Sequence, residues 1–555
     1  MRQNLSQAHR DAVNRSRRVI VNYDTNFGAP SVICPLAGME IDRLVKGYFS
    51  MIDEAGVQVD SIWWCWLDGN FANYPSQILP VWELPGYQKW WDAGIDPVQI
   101  FAEETKKRDK EVFFSYRLNG TDMASIVPLS KPLLKEAHPE WLIPTWEAFQ
   151  NPGYWNFTVP QVRDYKVSIL REVAENYDYD GIEIDFSRVP VTLPPGHQWE
   201  NRECLTEFMR AVRTMTLEIE KKRDHPFLLA ARIPENLEGC HFDGMDVETW
   251  ASEGLLDIFV LGNRSFDVDI SAFRRITAGT GIKLYPCMDD HHASDGYLHP
   301  PISVFRGVFA NWRHQGADGI QTFNFSNWTP VGAALLGWDA IDPVWAAHLQ
   351  VYREMAVLES LEYKDKTFVA ERRGGGHGPT VVPNPEDWTT PRWMYFITNM
   401  FAPLPAALAN DGKADTLLKL YVSDKLADEA EHIERVTIRV LLSDPGAERL
   451  PSNQRLQVVT VATKAHTLQN IPPAVGIGNQ IELRLNNTLL HPPVIEEGWL
   501  VFSALPNQFA VGNNLIGLRV TDRAPDAQAE ILIEKLEVHV NYHKPTSGTE
   551  SLGKQ

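Results

Sequence analysis

The chain has 555 residues, of which 44% are hydrophobic and 22% are charged, and its formal net charge is −20 at pH 7. The length exceeds that of one compact domain, so we expect one large unit and one smaller unit. The acidic balance argues against a nucleic-acid partner, since such proteins normally present a basic face, and no apolar run is long enough to cross a bilayer.

The first twenty residues are polar and basic and lack the apolar stretch of a signal peptide. The five cysteines have neither CxxC nor zinc-ribbon spacing, and their odd number favours reduced thiols. We therefore expect a cytoplasmic protein, or a secreted or periplasmic one if a leader has been removed. We predict no cofactor, and the sequence leaves a homo-oligomer open.

Short β-branched and aromatic runs recur from residue 18 to about 325, each followed by a polar loop and then by helical periodicity. This alternation is typical of βα units around a parallel sheet. We predict eight strands, at residues 18–24, 59–66, 111–117, 179–186, 226–233, 256–262, 283–288 and 318–325. Eight strands close a (β/α)8 TIM barrel, which places the chain in the α/β class.

We place this barrel at residues 18–345, after a polar segment at 1–17. One connecting helix is clear, because apolar residues recur with a period near 3.6 between Pro160 and Ala174. Residues 120–154 are rich in proline and predict a long loop over the mouth, by which we mean the C-terminal ends of the barrel strands.

Beyond residue 345 the pattern changes to a Gly- and Pro-rich linker and the start of a β domain, at 346–400. Alternation of apolar and polar residues then predicts half-buried antiparallel strands. These lie at residues 416–423, 435–442, 455–462, 480–487, 497–504, 513–520 and 531–542. We assign a jelly-roll-like β-sandwich to residues 401–545 and a disordered tail to 546–555.

In barrels of this kind the active site lies at the mouth. The expected substrate-binding residues there are Asp24, Trp66, Tyr116, Arg117, Asn119, Arg188, Arg232, Asn263, His291, His292, Asn324 and Trp328. Aromatic faces pack against sugar rings while polar neighbours read hydroxyl groups, which favours a carbohydrate substrate. Trp66 and Trp328 are the expected platforms, although most tryptophans of the chain have an alternative place in the core.

The strongest signal is YDGIEIDFSR, in which Glu183 and Asp185 alternate along a strand and therefore point to the same side. Burying two carboxylates is costly unless they are paired or used. One alternative is an internal ion pair with Arg188 or Arg232.

Cleavage of a glycosidic bond needs one carboxylic acid and one carboxylate on opposite sides of the bond. We select Asp185 and Glu235, although Glu235 is also compatible with a helix N-terminus. Asp289 and Asp290 offer a third carboxylate or a loop anchor. The segment Asp289–His292 also suggests a metal site, since Asp and His are common ligands. Adjacent histidines rarely both face one ion, however, so we predict no metal.

The segment VRDYKVSILREVAENYDYDGIEIDFSR resembles the fourth strand of glycosyl hydrolase-like barrels, distant relatives of the α-amylase clan. The resemblance implies that Asp185 is the nucleophile, Glu235 the acid/base, and Asp289 or Asp290 the group that stabilises the transition state. The sequence departs from the clan at Glu183, where the clan has arginine, and this leaves Glu183 open as the acid.

The leading hypothesis is a glycoside hydrolase, retaining by resemblance. One alternative is a carbohydrate-binding barrel without activity. Another is a lyase that acts on uronic-acid sugars through Tyr116, His291 or His292 and Arg117. Hydrolysis requires two facing carboxylates, whereas a lyase requires a base beside a neutralised carboxylate.

Overall fold

The structure is a computed structural model. It describes residues 5–25, 36–66, 71–82, 85–119, 133–143, 153–187, 190–262, 265–289, 297, 300–323, 325, 328–337, 345–372, 399, 401–409, 411–443, 480–522 and 531–544.

The N-terminal part is a closed barrel of eight parallel strands, which confirms the predicted fold class. Around the barrel the strand order is β1-β10-β9-β8-β7-β6-β3-β2. The strands of this part are β1 Val19–Asp24, β2 Ser61–Cys65, β3 Glu111–Arg117, β4 Leu142–Ile143, β5 Tyr154–Trp155, β6 Gly181–Asp185, β7 Leu228–Ile233, β8 Ile258–Leu261, β9 Lys283–Asp289 and β10 Ile320–Phe323. Each of the eight predicted barrel strands is confirmed, with ends that differ by at most two residues.

Helices connect these strands and cover the outside of the barrel, where their apolar faces pack on side chains that point outwards. Their bounds are α1 Gln7–Val13, α2 Ile41–Tyr48, α3 Pro85–Asp92, α4 Pro97–Lys106, α5 Leu133–Ala137, α6 Pro160–Asn176, α7 Arg202–Arg223, α8 Leu237–Phe242, α9 Val247–Glu253, α10 Ile270–Ile276, α11 Ile302–His314, α12 Pro330–Leu335 and α13 Trp345–Glu354. The predicted helix after Pro160 is α6. The region predicted as a long loop contains α5 and the two-stranded ribbon β4–β5.

A buried ion pair fills the base of the barrel, at the N-terminal ends of its strands. Arg17 donates from Nε and Nη2 to the two carboxylate oxygens of Glu111, at 2.6 and 2.5 Å. Ser61 Oγ donates to Glu111 Oε2 at 2.7 Å and accepts from Trp63 Nε1 at 2.7 Å. This network occupies the interior below the mouth and leaves the opposite end of the barrel for a substrate.

Helix α1 lies within the predicted polar segment and contacts the base of the barrel through His9, whose side chain is buried. The two ring nitrogens of His9 lie 2.5 Å from Glu220 Oε2 and 2.9 Å from Asp257 Oδ1. Arg213 binds both carboxylate oxygens of Asp257, at 2.8 and 2.9 Å. A charged imidazolium therefore ties α1 to residues from α7 and the start of β8.

The free energy of unfolding should fall as the pH rises from 6.5 to about 9. Burial lowers the pKa of His9, but hydrogen bonds to Asp257 and Glu220 outweigh it, and the pKa rises from 6.5 to about 9. The stabilisation by His9 is complete below pH 6.5, the pKa of histidine in the unfolded chain. It is lost as the pH rises through the pKa of the folded state, and the free energy of unfolding changes by up to about 3 kcal/mol. Urea unfolding at several pH values measures it. Parallel pH profiles of the wild type and His9→Gln would contradict the assignment.

The C-terminal part consists of two antiparallel sheets that share one hydrophobic core, which is the arrangement of a sandwich. One sheet has the order β11-β20-β14-β18-β17, with β12 also paired to β20, and the other has the order β13-β19-β15-β16. The strands are β11 Lys366–Val369, β12 Ala406–Ala407, β13 Thr416–Val422, β14 Ile433–Ser443, β15 Ile481–Leu485, β16 Thr488–Leu489, β17 Val494–Glu496, β18 Trp499–Ala504, β19 Gly512–Val520 and β20 Leu532–Tyr542. The strand predicted at 455–462 lies outside the described residues, so the jelly-roll connectivity stays a prediction.

The junction between the two parts differs from the predicted boundary at residue 345. Helix α13, which begins there, packs on the barrel, and its Tyr352 hydroxyl lies 3.1 Å from Thr322 Oγ1 of β10. Helix α11 lies directly against β11. This close approach requires glycine at residue 307, because a Cβ there would clash with the Thr367 carbonyl oxygen. Asn311 of α11 also bonds to the backbone of the segment after β13, at Ser423 N, over 3.0 Å.

Within the described ranges, every helix is too short or too polar to pass through a lipid bilayer.

Candidate active site

Strand β6 presents Glu183 and Asp185 to the interior of the barrel, as predicted from their alternation. The two residues are 0% and 1% exposed. Their surroundings differ, because Glu183 lies one layer deeper than Asp185. Charged groups at such depth require partners, and those partners define what each carboxylate can do.

Glu183 is held by hydrogen bonds on both oxygens. Arg232 donates to it from Nε and Nη2, both at 3.1 Å. Asn22 Nδ2 and Ser115 Oγ donate to Oε2 at 2.7 and 2.5 Å, and Gln321 Nε2 lies 3.4 Å from Oε1. A carboxylate saturated in this way fixes neighbouring side chains. The contacts favour the internal ion pair, and they correct the expectation that Glu183 acts as an acid.

Asp185 lies at the end of β6, where the chain turns. The backbone N–H of Ser187 donates to its Oδ1 at 3.0 Å, and Arg232 Nη1 lies 3.8 Å from Oδ2. Burial lowers the pKa of Arg232, but the charges of Asp185 and Glu183 raise it by more than burial lowers it. The pKa therefore lies above its usual value, and the guanidinium is charged. Arg232 of β7 thus lies beside Asp185 as well as Glu183.

A second arginine lies at the mouth and is also paired. Arg117 Nη2 donates to both oxygens of Asp24, at 2.6 and 2.8 Å. The guanidinium carbons of Arg117 and Arg232 lie 5.8 and 4.4 Å from the centre of the Phe323 ring. Arg117 and Asp24 are therefore at the predicted place, with their charges directed towards each other.

Asp289, the last residue of β9, is buried and lies opposite Phe323 of β10. Two residues earlier on the same strand, the pKa of the Cys287 thiol is raised, first by burial and then by the charges of Glu183, Asp289 and Asp185, although Arg232 opposes this. Asp289 and Asp185 thus act on the same part of the barrel interior. Asp289 fits the predicted third carboxylate in position, and its role stays a prediction.

Glu235 follows β7 by two residues and is 2% exposed. The backbone N–H of Asp269 donates to its carbonyl at 3.0 Å, which ties this turn to the segment after β8. Gly262 lies directly beneath it with φ of +76°, and a Cβ added there would lie 3.1 Å from the Glu235 Cβ. The turn therefore requires glycine at residue 262 to place Glu235 at the mouth.

One carboxyl near the mouth was missed by sequence reasoning. Glu371 follows β11 of the C-terminal sheet, within the segment interpreted as a linker, and is 1% exposed. Its Oε2 accepts from the backbone N–H of Asp267 and from Asn399 Nδ2, both at 2.9 Å. Burial, followed by the charge of Glu235, raises the pKa of Glu371 well above its usual range. An acidic residue two positions after a short run of β-branched and aromatic residues, Thr367–Val369, was the available signal.

Three predicted substrate contacts are corrected by the structure. The indole of Trp66 is buried between the barrel and α4, where it donates to the Tyr179 hydroxyl at 3.1 Å. The Tyr116 hydroxyl accepts from the buried Lys166 at 2.9 Å, on the outside of β3. Asn119 uses its amide to hold the backbone N–H of Trp155 at 2.9 Å. All three side chains stabilise the scaffold.

Trp328 is half-buried after β10 and packs against the rings of Tyr23 and Tyr48, and its role as a platform stays a prediction. The remaining predicted residues lie outside the described ranges; these are Arg188, Asn263, Asp290, His291, His292 and Asn324. In the part of the chain that the structure describes, no three His, Cys, Asp or Glu side chains group as a metal site.

Residues 49–201 match the family described as "Glycosyl hydrolase-like 10". This segment contains β6 with Glu183 and Asp185, and it ends before Glu235. The predicted resemblance to glycosyl hydrolase-like barrels is therefore confirmed over these residues.

Curated relatives match a similar fraction of the chain. Glycosyl hydrolase YngK of Bacillus subtilis (strain 168) is 34% identical over 119 residues, which are 20% of this chain and 22% of that protein. Glycosyl hydrolase DigH of Escherichia coli (strain K12) is 31% identical over 129 residues, which are 21% of this chain and 28% of that protein. The chain thus spans about a quarter of the length of the curated relatives it matches.

Among solved structures, the α-amylase of Geobacillus thermoleovorans in complex with acarbose is similar over 98% of this chain and 100% of that chain, with 14% identity and a TM-score of 0.35.

Proposed function

We propose that this protein hydrolyses glycosidic bonds in an oligosaccharide or polysaccharide, with Asp185 and Glu235 as the principal carboxylates. The observation that carries the proposal is the match of residues 49–201 to a glycosyl hydrolase-like family, because this match includes the strand that ends in Asp185. The buried carboxyl groups at neighbouring strand ends of a closed barrel support the same chemistry.

In the proposed reaction Asp185 is the nucleophile. Its carboxylate attacks the anomeric carbon, while Glu235 transfers a proton to the oxygen of the leaving sugar, so that the glycosidic bond breaks and a glycosyl-enzyme ester forms. Glu235 then takes a proton from water, and the resulting hydroxide displaces Asp185. Asp289 supplies negative charge to the oxocarbenium-like transition states.

Arg232 supports this assignment through its position. Its guanidinium lies 3.8 Å from Asp185 and is shared with Glu183, which anchors it from below. This arrangement holds the Asp185 carboxylate in one orientation, and a fixed orientation of the nucleophile lowers the entropic cost of attack. The deeper carboxylate is thus assigned to holding the arginine, and the shallower one to chemistry.

A panel of chromogenic glycosides and plant, bacterial and marine polysaccharides tests the function, with Asp185→Asn as the control. We expect a reducing sugar to be released. Proton NMR recorded early in the reaction should show that this product has the same anomeric configuration as the substrate, as a double displacement requires. The opposite anomer would contradict the retaining mechanism. An unsaturated product would indicate a lyase, and sugar binding without cleavage would indicate a non-catalytic barrel.

A further inference from the structure

The C-terminal sheet supplies one carboxyl to the neighbourhood of the proposed active site. Glu371 is buried in the same turn region as Glu235, because both are bound to the segment after β8. Asp267 donates its backbone N–H to Glu371 at 2.9 Å, and Asp269 donates its backbone N–H to the Glu235 carbonyl at 3.0 Å. Residues 267–269 thus hold the turn that carries Glu235 and the segment that carries Glu371 at the junction of barrel and sandwich.

A chain of amides makes a second connection between the same two turns. Asn236, the residue after Glu235, donates from Nδ2 to Asn399 Oδ1 at 3.4 Å. Asn399 in turn donates from its own Nδ2 to Glu371 Oε2 at 2.9 Å. The position of Glu371 relative to Glu235 is therefore fixed from two directions, through the backbone of residues 267–269 and through these amides.

The two oxygens of Glu371 have different surroundings. Oε2 accepts both hydrogen bonds, whereas the buried Oε1 has no hydrogen-bond partner among the described residues. A buried oxygen without a partner requires a physical explanation. In the described part of the chain, the acidic side chains of Glu235 and Asp267 both raise the pKa of this carboxyl, while the neighbouring Arg372 is bound to Glu534 at 2.9 Å. Two like charges beside a buried carboxyl favour its protonated form.

We propose that Glu371 holds a proton beside Glu235 and is the positioning residue that governs the protonation of that carboxyl. The inference rests on the proposed function, in which Glu235 is the acid and base. Two carboxyls that share a site lose their protons in steps that belong to the pair, and the second step is displaced to higher pH by repulsion. The pair therefore keeps one proton available for the leaving sugar at a pH where a single glutamate is ionised.

The pH dependence of kcat/KM in the Glu371→Gln variant tests this proposal. Glutamine keeps the shape and both accepted hydrogen bonds but removes the shared proton. We expect the alkaline limb of the profile to move to lower pH by about one unit, with activity retained near its acidic end. Activity that falls equally at every pH, with an unmoved limb, would overturn the proposal and indicate a purely structural residue.

A second measurement does not depend on activity. A carboxyl whose folded pKa is raised binds protons preferentially in the folded state, so its contribution to stability declines as the pH rises above the usual value near 4.5. The midpoint of thermal unfolding of Glu371→Gln should exceed that of the wild type by a few degrees at pH 8, and the two should converge at pH 4.5. A variant that is less stable than the wild type at every pH would overturn the proposal, whatever the enzyme assay finds.

Glu534→Gln is the matched control, because Glu534 is a buried glutamate of the same sheet that is paired with a cation, whereas Glu371 lies near acidic side chains. Its carboxylate is paired with Arg372 at 2.9 Å and accepts from Ser443 Oγ at 2.5 Å. Loss of that charge should lower the unfolding midpoint at pH 8 and leave the alkaline limb in place. An alkaline limb that moves equally in both variants would contradict a specific role for Glu371.

Discussion

Asp185→Asn is expected to lower the rate of hydrolysis by on the order of 10³-fold or more, with the fold intact. The amide keeps the shape of the carboxylate and can still accept from the Ser187 N–H, but it cannot form a glycosyl ester. The rate is measured on the substrate identified by the glycoside panel, and thermal unfolding is measured on the same preparation.

The matched control for this prediction is Asp178→Asn, which makes the same substitution at the other end of the strand region. Asp178 is exposed and pairs with Lys106 at 2.6 Å, so its loss should leave the rate within twofold to threefold of the wild type. If Asp185→Asn cleaves at the wild-type rate, Asp185 is structural, and the nucleophile must be sought among Asp289 and the strand-end residues beyond β9.

Arg232→Met is expected to reduce the free energy of unfolding by about 3–5 kcal/mol, which is the usual cost of removing one partner from a buried ion pair. The substitution leaves the carboxylates of Glu183 and Asp185 at the centre of the barrel without their shared cation. Chemical denaturation at neutral pH gives the value.

The double variant Glu183→Gln with Arg232→Met separates the ion pair from packing. In the double variant Glu183 is neutral, so the loss of Arg232 no longer leaves this carboxylate buried without its cation. The double variant should therefore be more stable than the sum of the two single effects predicts, by about 1–3 kcal/mol. Strict additivity, or a cost below about 1 kcal/mol for Arg232→Met alone, would show that Arg232 does not hold the centre of the barrel.

The strands of the barrel were predictable because a buried parallel strand is a short, strongly hydrophobic run bounded by polar turns. Strand β3 begins and ends at the predicted residues, 111 and 117. Strand β6 ends one residue before the prediction, at Asp185, because the Ser187 N–H turns back onto the Asp185 side chain. A side chain that caps its own turn ends a strand without changing the apolar pattern.

Two of the corrected side chains follow from the same alternation that located Asp185. Because successive residues of a strand point to opposite faces, Arg117 at the barrel interior requires Tyr116 on the outside. Trp66 follows Cys65, the last residue of β2, and packs with Trp64 on the outer face. A position at a strand end is therefore insufficient evidence for a binding residue, and its parity along the strand must also agree.

Glu371 could not be placed from sequence, because its partners come from turns after β7 and β8, far away along the chain. Local patterns report which residues share one strand or helix, whereas a contact between the barrel and the sandwich depends on how the two parts dock. Arg232, by contrast, was one of the two ion-pair partners predicted from sequence, and the pairing of β6 with β7 places it opposite Asp185.

The contacts of His9 also constrain when the barrel can be completed during synthesis. Its two carboxylate partners are separated from it by 211 and 248 residues along the chain. Helix α1 emerges from the ribosome before the barrel strands, yet its buried imidazolium has no native counter-charges until most of the barrel has followed. Helix α1 therefore docks on the base only after the six barrel strands up to β8 have assembled, and a nascent chain halted before residue 257 should expose α1 to proteases.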